Sequence, residues 1–186
     1  MKRLDPKTTA LIVVDVQERL APAMHEPSMT ALLRAAAILL EAADALGASV
    51  LATEQYPQGL GPTVAPVRER LVSRGAPVLT KTAFSAVDAA GFPAAWAAIG
   101  VPRAAVVIGM EAHICVFQTV RELARRGVEV HVPIDGVASR RDDHRQAGID
   151  LCRAAGATIT TSETVAFDWL RRAEGEAFKR ISKAVR

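Results

Sequence analysis

The sequence predicts an α/β fold in which a mainly parallel, six-stranded sheet carries helices on both faces. Short β-branched apolar runs alternate with alanine-rich amphipathic segments, which is the pattern of βαβ units with right-handed crossovers. The strand candidates are continuous apolar runs, as expected for a sheet covered on both faces. Half of the 186 residues are hydrophobic and 23% are charged, so we expect one globular domain over residues 1–186.

Six short segments predict the strands, because each is apolar, rich in β-branched residues and bounded by polar residues, glycine or proline. The first of them, TALIVVDVQ, runs into a carboxylate near its end, and the fourth, AAVVIGM, contains no polar residue. The third is contained in a somewhat longer segment, APVLTKTAFS. The six segments are residues 9–17, 48–56, 76–85, 104–110, 128–135 and 157–162.

Helices are predicted between these strands, where apolar residues recur every three or four positions. Ser28 is a candidate N-cap for the first helix and Gly47 ends it, while Gly156 follows the last helix before the sixth strand. Residues 57–63 hold two prolines and two glycines and predict a loop. The helical segments are residues 28–47, 64–73, 91–99, the stretch that ends at Arg126, residues 141–156 and the tail 163–186.

These elements predict a three-layer, Rossmann-like arrangement with strand order 3-2-1-4-5-6. Ligands of such sheets bind beyond the carboxyl ends of the strands, near the point where the strand order reverses. Four chain segments reach that edge: Asp15, Glu54, Lys81 and residues 109–115. They bring a carboxylate, an amine and a thiol to one side of the sheet.

Composition excludes several classes of function. The net charge is +3, but no basic stripe is interleaved with aromatic residues, so we expect no nucleic-acid partner. Two cysteines without CxxC spacing favour a reducing compartment and a cytoplasmic protein. The apolar run at residues 10–14 is too short for a signal peptide, and no segment approaches the roughly 20 apolar residues of a membrane helix. The turn after the first predicted strand has no Gly-x-Gly-x-x-Gly and no GKS or GKT sequence, so we expect no phosphate- or dinucleotide-binding site there.

The segment GMEAHICVFQTVRELARRG places Cys115 where the fourth strand ends and a helix begins. A helix N-terminus and the Lys81 ammonium would both lower the pKa of a thiol from about 8.5. Asp15 would accept the thiol proton, and backbone amides of residues 111–115 would bind the oxyanion of a tetrahedral intermediate. The alternative is a core cysteine, as we expect of Cys152, with Asp15 capping a turn and Lys81 in solvent.

Three motifs in this order resemble the isochorismatase-like cysteine hydrolases, a superfamily that includes nicotinamidases and N-carbamoyl amidases: LIVVDVQ, KTAFSA and GMEAHICVFQTVRELARRGVEVHVPIDGVASR. The subgroup of isochorismatase-domain-containing proteins is the most similar. The resemblance implies a triad in which Asp15 is the general base, Lys81 stabilises the thiolate and Cys115 forms the acyl-enzyme. It also implies a cis peptide bond between Met110 and Glu111, which turns the Glu111 amide towards substrate.

Differences between this sequence and the motifs of the family restrict the type of reaction that we expect. Nicotinamidases bind a metal through an Asp and two His residues after the first motif, whereas this chain has TEQYPQG there. We therefore expect no catalytic zinc and no cofactor. Relatives that cleave the vinyl ether of isochorismate typically have glycine at the position of Cys115, so the thiol favours acyl transfer from a small amide or related C–N bond. The alternatives are vinyl-ether hydrolysis and a non-catalytic, redox-sensing oligomer.

The substrate pocket is expected to include polar and aromatic residues close to these motifs. Phe84 would form an apolar wall, and His113 either faces the substrate or caps a helix. The expected partners are a small-molecule substrate and further copies of the chain, since family members are commonly oligomers. The pocket candidates are Gln17, Gln55, Tyr56, Phe84 and His113.

Overall fold

The computed structural model describes residues 3–186, and within them a parallel sheet of seven strands forms the centre of the fold. The strands are β1 (Thr9–Val14), β2 (Ser49–Gln55), β3 (Val78–Lys81), β4 (Ala104–Met110), β5 (Glu129–Pro133), β6 (Val137–Ala138) and β7 (Thr158–Thr160). Their order is β3-β2-β1-β4-β5-β7, with β6 paired to β4. The predicted order is confirmed, with β7 as the sixth predicted strand.

The additional strand β6 arises where the predicted fifth strand stops early. Pro133 ends β5, because proline has no N–H to continue the ladder. A 3₁₀ turn, Ile134–Gly136, then brings the chain back towards the middle of the sheet. There Val137 pairs with Gly109 and Ala138 with Met110, so β6 lies beside the carboxyl end of β4.

Eight α-helices surround the sheet within the described residues. They are α1 (Glu26–Leu46), α2 (Pro57–Leu60), α3 (Ala65–Ser73), α4 (Phe92–Ala98), α5 (Phe117–Arg125), α6 (Asp142–Ala154), α7 (Ser162–Leu170) and α8 (Gly175–Ala184). Helix α1 begins two residues before the predicted N-cap: proline in its first turn favours the earlier start. The Ser28 hydroxyl lies inside the helix and donates to the His25 carbonyl at 2.8 Å.

Two apolar layers, one on each face of the sheet, form the core. Leu11 and Val13 of β1 pack into the layer that contains α1 and Trp169, whereas Ile12 and Val14 pack into the layer of α5 and α6. Successive residues of a strand point to opposite faces, so one continuous apolar run serves both layers. The expected three-layer arrangement is confirmed. None of the helices in residues 3–186 is both long and apolar enough to cross a bilayer.

Glycine at position 109 lets the two central strands approach each other at the functional edge. Gly109 has φ +132°, and a Cβ atom there would overlap the carbonyl oxygen of Val14. Only glycine accommodates both this dihedral angle and this approach. The carboxyl ends of β1 and β4 are therefore held together, which brings the residue after β1 beside the turn after β4.

Candidate active site

A buried ion pair joins the ends of β1 and β3. The Lys81 ammonium donates to the Asp15 carboxylate over 2.6 Å, and both side chains are fully shielded from solvent. The second carboxylate oxygen of Asp15 accepts a hydrogen bond from the Thr53 hydroxyl at 2.7 Å. The structure thus brings together two residues that are 66 positions apart in sequence. Lys81 is not a surface lysine.

Three further oxygens hold the Lys81 ammonium in place. Nζ lies 2.8 Å from Gln55 Oε1, 3.0 Å from the carbonyl oxygen of Phe84 and 3.2 Å from that of Ala83. A lysine removed from water needs such partners, because an unpaired buried charge costs several kcal/mol. The position of the ammonium is therefore fixed by the strand ends and by the chain after β3.

Cys115 lies beside this ion pair, in a π-helical turn, Ala112–Val116, between β4 and α5. The residue is 7% exposed and borders the apolar layer of α5 and α6. Burial raises the pKa of its thiol to about 12, helped by the negative charge of the Asp15 carboxylate. Lys81 lowers this pKa, but by less. The structure therefore favours a neutral thiol in the resting protein, whereas a helix start and Lys81 alone would favour an ionised one.

The backbone amides around Cys115 are only partly available to a ligand. The Ala112 N–H donates to the Ser139 hydroxyl at 3.1 Å, and the Ile114 N–H donates to the Glu111 carbonyl at 3.0 Å. This leaves the amides of Glu111, His113 and Cys115 as candidate oxyanion donors. The peptide bond between Met110 and Glu111 is cis, at the position that the family resemblance implied.

A close contact with α6 fixes the turn that carries Cys115. A Cβ atom on Gly148 would lie 2.5 Å from the carbonyl carbon of Ala112 and 2.6 Å from the amide nitrogen of His113. Only glycine permits this approach of two backbones. Helix α6 therefore packs directly against the turn and holds it in place.

Glu111 binds Arg140, which follows β6, through its side chain. One carboxylate oxygen accepts from the backbone N–H of Arg140 at 3.0 Å and from its Nε at 3.1 Å. The carboxylate is buried, with 7% of the side chain exposed. Its negative charge nevertheless contributes to the raised pKa of Cys115.

His113 is held by residues outside the turn. Its Nδ1 lies 3.1 Å from the Ser139 hydroxyl, and its ring lies 4.8 Å from that of His144, centroid to centroid. Burial lowers the pKa of His113, although the nearby Glu111 carboxylate raises it. The ring is therefore harder to protonate than a free imidazole, and it is anchored at one nitrogen.

Gln17 and Gln55, the two glutamines predicted to line the pocket, form hydrogen bonds with the chain around the ends of β1, β2 and β3. Gln17 is completely buried; its amide donates to the carbonyls of Gln55 and Gly61 and accepts from the Gln55 N–H, all within 3.0 Å. Both N–H groups of the amide are used and the side chain is fully buried, so Gln17 links the chain after β1 to Gln55 and Gly61 and does not line a pocket. Gln55 donates to the Thr82 carbonyl while it accepts from Lys81.

Tyr56 and Phe84 are the exposed aromatic residues near the site. Their exposures are 56% and 53%. Tyr56 helps to line a groove of about 390 Å³ between α2 and the chain that follows β3. Glu54, at the end of β2, instead fixes the neighbouring loop by accepting from the backbone N–H and hydroxyl of Thr63.

Sequence reasoning missed three hydroxyl residues of the site. Thr53 binds Asp15, Ser139 binds Ala112 and His113, and Thr119 donates to the Cys115 carbonyl at 2.7 Å while accepting from the Ala86 N–H. Thr53 stands opposite Val14 in the parallel register, so the strand pairing would have indicated it. Ser139 and Thr119 have no local sequence signal.

The described residues contain no group of three or more His, Cys, Asp or Glu side chains arranged to hold a metal ion. The side chains near the thiol are also engaged with one another: Asp15 with Lys81, Glu111 with Arg140, and His113 with Ser139. The residues present thus do not resemble the Asp and two His ligands of nicotinamidases.

Comparison with known proteins gives consistent results at the level of family and fold. A family model described as the isochorismatase domain matches residues 9–164. Isochorismatase domain-containing protein 2 of Danio rerio is 34% identical over 181 residues, which cover 97% of this chain and 88% of that protein.

Solved structures with the same fold include two with different descriptions. The structure of MAR1 ribonuclease from Caenorhabditis elegans has a TM-score of 0.90 and 33% identity, covering 99% of this chain and 92% of that one. The YcaC gene product of Escherichia coli, described as an octameric hydrolase of unknown specificity, has a TM-score of 0.87 at 21% identity, covering 99% and 89% of the two chains.

Proposed function

Because the chain belongs to the isochorismatase family of hydrolases, we propose that it cleaves a small amide or a related C–N bond through an acyl-enzyme on Cys115. Asp15 and Lys81 complete the catalytic triad in this proposal. The observation that carries it is the fully buried Asp15–Lys81 ion pair, whose two charges both act on the Cys115 thiol. A buried charge pair is costly to maintain, and it is found where chemistry needs it.

The neutral thiol determines the first chemical step. Asp15 takes the proton from Cys115 as the sulfur attacks the carbonyl carbon, so the C–S bond forms while the C=O bond becomes an oxyanion. Lys81 stays within 2.6 Å of Asp15 and stabilises the negative charge that passes between carboxylate and sulfur. The amides of Glu111 and Cys115 are the proposed oxyanion donors.

Breakdown of the tetrahedral intermediate uses the proton that Asp15 now holds. The C–N bond breaks, and Asp15 gives the proton to the leaving amine. A water molecule, deprotonated by Asp15, attacks the resulting thioester. The C–S bond breaks, the carboxylic acid leaves, and Cys115 recovers its proton. Each turnover consumes one amide and one water and needs no redox partner or metal.

Two other reactions compete with this proposal. Vinyl-ether hydrolysis of an isochorismate-type substrate would need Asp15 but not Cys115. RNA hydrolysis is suggested by the description of the C. elegans protein as a ribonuclease. The buried positions of Asp15, Lys81 and Cys115 favour a small substrate over a polymer, since a phosphodiester chain needs an open groove.

The proposal also includes a homo-oligomer in a reducing, cytoplasmic setting. Tyr56 and Phe84 are more than half exposed beside the site, where a neighbouring copy would cover them. Both cysteines are free, which is consistent with a reducing setting.

We expect a screen of small amides, ureas and carbamoyl compounds to detect ammonia or amine release that persists after exhaustive dialysis against EDTA. Intact-mass measurement under turnover should find the mass of the acyl group on the protein, and peptide mapping should locate it on Cys115. An isochorismate-type vinyl ether and single-stranded RNA serve as comparison substrates. Turnover of either one, with no amide cleaved and no adduct formed, would overturn the proposed reaction.

A further inference from the structure

A cavity of about 690 Å³ lies at the amino ends of β1, β4 and β5. Cys115 follows the carboxyl end of β4, so the cavity is at the opposite edge of the sheet. Its walls are the chain segments that join α4 to β4 and α5 to β5, together with side chains of the two helices. The proposed reaction uses none of these residues, although the volume is in the range of small-molecule sites.

One wall of the cavity is aromatic. Phe92 and Trp96 of α4 both line it, and their rings stack with centroids 5.3 Å apart and planes inclined at 18°. Phe92 is buried, whereas Trp96 is only half-buried. Part of the indole surface is therefore accessible to a ligand, and a planar ring is the group that stacks on it most favourably.

Two arginines line the same cavity. Arg103 precedes β4, and Arg126 follows α5. Within the described part of the chain neither guanidinium takes part in an ion pair or a hydrogen bond, and the Arg126 Cζ lies 6.0 Å from the centroid of the Phe92 ring. A guanidinium in such a cation–π contact keeps N–H groups for an anion. By contrast, the adjacent Arg125 pairs with Glu122 at 3.3 Å.

The other charged side chains that line the cavity are engaged with residues outside it. The three contacts are Arg3 with Asp168 at 3.9 Å, Asp5 with Arg171 at 3.3 Å and Glu129 with His131 at 3.3 Å. Arg103 and Arg126 therefore supply the uncompensated charge of the cavity. This charge is positive and favours an anionic ligand.

The carboxyl ends of α4 and α5 stabilise arginine here without using its N–H groups. The negative end of each helix dipole attracts a cation. The last carbonyl groups nevertheless accept hydrogen bonds from the chain itself, as in a Schellman motif. These bonds run from Gly100 to Ala97, Val101 to Trp96, Gly127 to Ala124 and Val128 to Leu123. The guanidinium groups are therefore free to bind a ligand.

Val101 is a strained residue in the wall of this cavity. It adopts φ +49°, a left-handed conformation that is unfavourable for a β-branched side chain, and the residue is 63% exposed. Strained residues are concentrated at functional sites and ligand clamps. Val101 lies two positions before Arg103 and lines the same cavity, so it supports a binding role for this part of the chain.

We propose that this cavity is a second binding site, which takes a small aromatic anion: a planar ring that bears a carboxylate or a phosphate. The ring stacks on Trp96, and Arg103 and Arg126 supply donors to the anionic group. This inference does not depend on the reaction at Cys115, since no residue of the cavity belongs to the proposed triad. The alternative is that the two arginines only complement the negative helix ends.

Paired ligands separate these two roles. Titration calorimetry on the wild-type protein compares naphthoate with naphthylmethanol and adenosine monophosphate with adenosine, and inorganic phosphate is the probe without a ring. We expect at least one aromatic anion to bind about tenfold more tightly than its neutral analogue and than inorganic phosphate. The double substitution Arg103→Gln and Arg126→Gln should remove this preference, whereas Arg125→Gln, the matched control, should leave it unchanged.

The two tryptophans of the chain locate the bound ligand. Trp96 lines the cavity, whereas Trp169 is buried in the layer of α1. Their indole N–H signals in a proton–nitrogen NMR spectrum are assigned with Trp96→Phe, and we expect the anion to shift the Trp96 signal and leave that of Trp169 in place. The proposal fails if no aromatic anion binds, if neutral analogues or phosphate bind as tightly, if the double variant retains the preference, or if the Trp96 signal does not move.

Discussion

Replacement of Cys115 with alanine is expected to reduce amide turnover by at least about 10⁴-fold, the scale of loss seen when a covalent nucleophile is removed from an enzyme. The remaining groups can bind and polarise a substrate but cannot form the thioester. The residue is small and its neighbours are already packed, so the fold should persist, with the free energy of unfolding lowered by about 1 kcal/mol. Steady-state kinetics and thermal denaturation measure the two effects.

Cys152→Ala is the matched control for this experiment. Cys152 is the other free, buried thiol, and its pKa is also raised to about 12. Burial alone accounts for this shift, because no charged group contributes to it. Turnover should therefore stay near the wild-type rate. Full activity in Cys115→Ala would exclude the acyl-enzyme and favour a reaction that needs Asp15 alone.

Asp15→Asn is expected to destabilise the protein by about 3–5 kcal/mol, the cost of leaving one partner of a buried ion pair uncompensated. Asparagine has almost the same shape, but the Lys81 ammonium would then face only neutral oxygens. The variant should also lose turnover, since no group replaces the base. Urea denaturation and steady-state kinetics measure the two losses.

Two further variants are compared with Asp15→Asn: a double variant that also replaces Lys81, and a variant that breaks an exposed ion pair. Adding Lys81→Met to Asp15→Asn removes the uncompensated charge, so the double variant should recover part of the stability and none of the activity. Asp143→Asn breaks the exposed pair with Arg141 and should change little, as exposed pairs do. If Asp15→Asn were as stable as wild type, Asp15 and Lys81 would not form the buried pair described here.

The convergence of Asp15, Lys81 and Cys115 could be predicted from sequence because parallel strands end at one edge of the sheet. Each residue follows an apolar run, and the parallel strand order places the ends of these runs at the same edge of the sheet. The strand order and the family were confirmed for the same reason: continuous apolar runs and three ordered motifs are strong local signals. The two-residue strand β6 has no such signal, and its pairing depends on Gly109 and Met110.

The state of the sulfur was not predictable, because burial and a neighbouring anion outweigh the helix terminus. A thiol at a helix start was expected to be ionised; the structure instead surrounds Cys115 with apolar side chains and sets Asp15 against it. Desolvation penalises the charged form, and a nearby negative charge adds to that penalty. Neither the depth of burial nor the distance to Asp15 can be inferred from the local sequence.

The role of Gln17 could not be predicted from the local sequence either. Its position two residues after Asp15 suggested a place in the pocket, but its partners Gln55 and Gly61 lie 38 and 44 residues further along the chain. Only the folded arrangement shows that these partners occupy the amide. The contact of Arg140 with Glu111 was equally unpredictable, since its sequence context, VASRRDD, does not distinguish it from Arg141.

The central claim is that a neutral Cys115 thiol lies against the Asp15–Lys81 pair, and the pH dependence of its alkylation tests this most directly. Iodoacetamide labelling, followed by peptide mass spectrometry so that Cys152 is counted separately, gives the rate at each pH. We predict a rate that still rises at about pH 10, and a profile that moves to lower pH in Asp15→Asn. A wild-type rate that levels off just above the ordinary thiol pKa of about 8.5, or a profile that Asp15→Asn leaves unmoved, would contradict the claim.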